Sequence, residues 1–93
     1  MLYLVAYDIG SDRLRGRVAR VLEAFGARVQ GSVFEVRLPP SRLHELQGAL
    51  AALFGGRLAG EVRVYPVCER CYEQAFAIGD IATPVASGGW LVL

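Results

Sequence analysis

The sequence predicts an α+β sandwich in the ferredoxin-like order strand, helix, strand, strand, helix, strand. Three observations lead there. Apolar, β-prone runs alternate with two segments whose hydrophobic residues follow helical spacing. Glycine or proline punctuates the junctions between them. Finally, 93 residues with 54% hydrophobic and 20% charged side chains suit one globular domain with a single core. A chain this small gains from pairing with a second copy of itself.

Leu2 to Tyr7 reads as the first strand. Leu2, Leu4 and Ala6 fall on one face and Tyr3, Val5 and Tyr7 on the other, both apolar enough for a central position. Ser11 or Asp12 then caps a helix whose buried stripe is Leu14, Val18, Val21, Leu22 and Phe25. Gly26 is placed to end that helix as a C′ glycine. Residues 27–38, ARVQGSVFEVRL, are β-prone, and Gly31 breaks them into two strands or marks a bulge. Pro39, Pro40 and Ser41 make the next turn and helix start. Leu43, Leu46, Leu50, Leu53 and Phe54 form the second helical stripe, stopped by Gly55 and Gly56. Val62, Val64 and Tyr65 mark a strand closed by Pro66, and residues 75–78, AFAI, a shorter one. Residues 1–79 are thus the sandwich proper, and 80–93 a Gly/Pro/Ser-rich linker with a last apolar strand, Trp90–Leu93, in the same domain. That strand needs a partner, on this chain or on another subunit.

The formal net charge is only +1. Its distribution is more informative than its size. All ten basic residues are arginine, and Arg13, Arg15, Arg17 and Arg20 fall within eight positions. At about 100° per residue, Arg13, Arg17 and Arg20 share the helix face opposite the apolar stripe, and Arg15 flanks the stripe. Codon usage explains the missing lysine but not the clustering, and arginine suits bidentate phosphate contacts. Arg28 and Arg37 would extend the positive track. No apolar run approaches the roughly 20 residues of a membrane span. The N-terminus does not read as a secretory signal, so a cytoplasmic protein is expected. No Walker loop, HExxH or G-x-G-x-x-G occurs.

Asp8 ends the first strand, at the sheet rim where α/β architectures place ligands. It either caps the turn through an Asx hydrogen bond or contributes to a magnesium site with substrate phosphates. One aspartate is a thin site, and two copies meeting on a two-fold axis make an adequate one. Ser32 is a candidate phosphate contact, and Phe34 either stacks on a base or fills the core. Cys68 and Cys71 form half a zinc site, and the only histidine, His44, lies far off on the second helix. Two reduced cysteines in a loop after a strand are the simpler reading.

Four stretches occur together in this short chain: YLVAYDI (3–9), the R-x-R of LRGRV (14–18), FGARVQGSVFE (25–35) and VRVYPVCERC (62–71). With them the chain resembles, over essentially its full length, the small CRISPR-associated adaptation proteins of the Cas-two family. The resemblance implies a ferredoxin-like homodimer whose C-terminal strand packs on the partner subunit. It implies magnesium- or manganese-dependent endonuclease activity on RNA or duplex DNA, and a role as the bridge of the CRISPR spacer integrase. Asp8, from both subunits, corresponds to the metal-site aspartate and Tyr7 to its neighbouring tyrosine. Arg15, Arg17, Arg28, Ser32 and Phe34 correspond to residues of the family pattern around the nucleic acid. No function carries over to the cysteine pair. Two alternatives stand beside this reading: a DNA-bridging dimer without catalysis, and a C-x-x-C metal or redox module.

Overall fold

A computed structural model describes residues 1–80 and 90–92. β1 (Leu2–Asp8) lies at the centre of a four-stranded antiparallel sheet of order β2-β3-β1-β4, with β2 at Gly26–Gln30, β3 at Val33–Arg37 and β4 at Glu61–Val67. α1 (Asp12–Glu23) and α2 (Leu43–Phe54) supply the crossovers, giving the expected ferredoxin-like order. A single 3₁₀ turn, Pro40–Arg42, leads into α2. A four-residue helix, α3 (Glu69–Tyr72), follows β4, and then β5 (Phe76–Ile78). β5 pairs in parallel with β6 (Trp90–Val92) of the same chain, Phe76 opposite Trp90. The expected linker falls on residues 81–89, outside the described residues.

Ser11 caps α1, its hydroxyl accepting the Leu14 N–H at 3.2 Å. Leu14, Val18 and Leu22 of the predicted stripe are buried, together with Ala19, against Val5, Phe34, Val36, Leu46 and Leu50, while Val21 and Phe25 of that stripe are only partly buried. Tyr3, Val5 and Tyr7 point into this core, so both helices cover one face of the sheet. The other face carries Leu4, Ala6 and Asp8 of β1, Val33 of β3, and Glu61, Arg63 and Tyr65 of β4. α3 covers one end of that second face. Glu69 pairs with Arg37, and the Tyr72 hydroxyl donates to Glu35. Leu2, in register with Arg37, is fully buried there.

Two expectations are corrected. Gly26 is not the helix stop: Ala24 is the C-cap, and Gly26 already belongs to β2. It is glycine because a Cβ would stand 2.1 Å from the Glu35 carbonyl oxygen and 2.9 Å from Val36. Gly26→Ala is therefore expected to cost about 2 kcal/mol or more, read as a lower urea midpoint at unchanged slope. Pro66 does not close β4, which continues to Val67. Proline is tolerated because β4 is an edge strand, its lost N–H facing away from β1. Tyr65, on that strand's open face, is 47% exposed. Gly31 does break the β-prone segment, with Gly31 and Ser32 forming the turn and a register shift between Arg28 and Gln30. Gly55 ends α2 in the left-handed region, φ 55°, as read from sequence.

Candidate nucleic-acid interface

Strand alternation separates the two residues expected to act together. Asp8 is exposed on the open face of the sheet, while Tyr7 is buried on the helix face. The Asp8 carboxylate makes no hydrogen bond or ion pair with the described residues. The Asx-turn reading fails on that point, and the helix that follows is capped by Ser11. Directly across the ladder from Asp8 stands Glu61, tied to Arg63 of its own strand. That ion pair and the Tyr65 hydroxyl hold the Arg63 guanidinium above its ordinary value. Gly60 allows the close passage: its φ is 107°, and a Cβ would lie 2.4 Å from the Asp8 carbonyl oxygen. Among the described residues no three carboxylate, imidazole or thiol groups gather. A hard divalent cation asks for only one or two carboxylates when water and phosphate oxygens complete its shell, and exposed Asp8, with no partner among the described residues, is a carboxylate of that kind.

On the helix side of the rim, Tyr7, Arg15, Arg28, Gly31 and Ser32 line one cleft. Arg15 is anchored by Asp12 and donates to the Ile9 carbonyl at 2.9 Å. Arg28 donates to the Gly31 carbonyl at 2.6 Å and to the Tyr7 hydroxyl at 3.4 Å. Its guanidinium lies 5.1 Å from the centre of the Phe34 ring. Phe34 is fully buried, tilted against Tyr7, and offers no face to a base. It fills the core and supports Arg28. These interactions hold two guanidinium groups in fixed positions with donors left over, which suits planar phosphate recognition.

A second cleft lies on the other side of α1, lined by Ser11, Arg13, Arg17, Ala59 and Arg57. Arg57 carries no signal of its own in the sequence. It sits in the loop after α2, donating to the Leu53 and Phe54 carbonyls, and so reaches α1 from a distant part of the chain. Arg13, Arg17 and Arg20 are exposed and have no ion pair among the described residues. By contrast Arg15, Arg28, Arg37, Arg42 and Arg63 each have a carboxylate partner: Asp12, Glu23 at 3.9 Å, Glu69, Glu45 and Glu61. Arg37, expected to extend the track, is instead held by Glu69 on the open face. His44 is exposed on α2 and lines neither cleft. No helix among the described residues is long and apolar enough to cross a membrane.

Residues 1–75 match the family model described as CRISPR associated protein Cas2. The chain is 38% identical over 87 residues to a CRISPR-associated endoribonuclease Cas2 of Chloroflexus aurantiacus, covering 94% of both chains. It is 44% identical over 79 residues to another of that name from Synechocystis, covering 85% of each. Among solved structures it is similar to a chain of a partial Cas6-RT-Cas1–Cas2 complex. That likeness has a TM-score of 0.71 and 30% identity, over 80% of this chain and 86% of the other.

Proposed function

The chain belongs to the CRISPR associated protein Cas2 family, and from that premise we propose that it acts in CRISPR adaptation as a homodimer that holds duplex DNA and bridges the spacer integrase. The observation that carries this reading is the arginine face of α1, where Arg13, Arg17 and Arg20 are exposed and unpaired among the described residues. With Arg57 on one flank and Arg15 and Arg28 on the other, it offers guanidinium groups to a phosphate backbone without base-reading geometry. The relatives' names supply the nuclease class, and the complex containing Cas1 and Cas2 supplies the integrase partner.

A second copy is the natural cover for the open sheet face. Leu4, Ala6, Val33 and Tyr65 lie together on it, half-buried or exposed, with Asp8 at its rim. Two copies joined there face to face would bring two Asp8 carboxylates toward one axis. Magnesium or manganese held between them would supply charge neutralisation at a phosphate and make an attacking water more acidic. Asp8 would then hold the cation, Arg15 and Arg28 would orient the backbone, and buried Tyr7 would position Arg28 through its hydroxyl. No histidine stands near to act as general base. DNA holding is the principal role in this account, and hydrolysis is a capacity of the same dimer.

Sedimentation of the protein with a short duplex tests the assembly. Two chains per duplex are expected, and a single chain bound at saturation would overturn the dimeric reading.

A further inference from the structure

The cysteine pair takes no part in that account, and its surroundings differ from the loop expected from sequence. Cys68 stands at the entrance to α3 with extended backbone, φ −65° and ψ 128°, and Cys71 follows within the single turn. Both are exposed and unbridged. One helical turn separates Cα atoms by roughly 5 Å, inside the span a disulfide accepts. The turn is held on the sheet by Arg37–Glu69 and by Tyr72–Glu35, so the two side chains share one supported platform.

We propose that Cys68 and Cys71 form a reversible dithiol–disulfide pair, in which Cys68 attacks a low-molecular-weight disulfide and Cys71 resolves the mixed disulfide. The Cys68 sulfur closes no capping hydrogen bond. The backbone N–H groups of Cys71 and Arg70 nevertheless draw its pKa below the ordinary thiol value, against the opposing Glu69 carboxylate. A lowered pKa favours the attacking thiolate at Cys68, which stands at the exposed entrance to the turn. In the first step its thiolate bonds to one sulfur of an oxidised glutathione-type disulfide and expels one thiolate. Cys71 then loses its proton to solvent and attacks the Cys68 sulfur, expelling the second. The protein pair gives up two electrons, and the external disulfide becomes two thiols. Tetrahedral zinc would need four ligands, and no third His, Cys, Asp or Glu joins the pair among the described residues.

The test treats the reduced full chain with oxidised glutathione and follows intact mass, free thiols and non-reducing electrophoresis. The wild type is expected to lose both thiols and two hydrogens in mass, with no adduct and no link between chains, and dithiothreitol should restore it. Cys71→Ser is expected to keep one glutathione on Cys68. Cys68→Ser should take up glutathione at Cys71 at least about 3-fold more slowly. A lasting adduct on the wild type, a disulfide joining two chains, or equal rates for the two variants would overturn the proposal.

Discussion

Asp8→Asn is expected to lower divalent-metal-dependent phosphodiester cleavage by at least about 100-fold while leaving duplex affinity intact or slightly raised, the scale on which removing one preorganised charge stabiliser acts. Asparagine keeps the size of the side chain and the course of β1 but offers a cation a neutral oxygen. Folding should be unaffected, because the Asp8 carboxylate supports no hydrogen bond or ion pair among the described residues. Assays on single-stranded RNA and duplex DNA, each with magnesium or manganese, compare the two proteins. Equal cleavage by both would remove Asp8 from the chemistry. No cleavage by either, with duplex still bound, would leave DNA holding as the whole function.

Replacing Arg13, Arg17 and Arg57 together with glutamine is expected to weaken duplex binding by about 100-fold or more at low salt. The slope of log affinity against log salt should fall by roughly 0.9 for each phosphate that is no longer neutralised. Arg13 and Arg17 support no ion pair among the described residues, so replacing them leaves the fold alone. Arg57 donates to two carbonyls at the end of α2, and its replacement adds only a small, separately measurable cost in stability. Replacing exposed Arg42 instead, tied to Glu45 on α2, should change the slope little. That contrast separates a directed interface from a general effect of positive charge.

The ferredoxin-like order was legible because each junction carries its own signal. Ser11 caps α1, Gly31 turns β2 into β3, and Gly55 stops α2. What escaped depends on how distant residues meet. Gly26 resembles a helix stop in sequence, yet it is required by the Glu35 backbone nine residues on. Pro66 reads as a strand end until the strand is known to be an edge. At the site, alternation along β1 already implied that Tyr7 and Asp8 face opposite ways, and grouping them by adjacency hid this. Phe34 matched a family pattern, but only the packed core shows it lying beneath Arg28. Arg57 had no local signal, because the fold alone brings it beside Arg13 and Arg17.

The most direct test of the central claim is the salt dependence of duplex affinity for the wild type and for the Arg13→Gln, Arg17→Gln, Arg57→Gln protein. A steep wild-type slope that flattens in the variant would support α1 and its flanking loop as the surface that holds DNA. An unchanged slope, with affinity preserved, would place the nucleic acid elsewhere on the molecule and contradict the account.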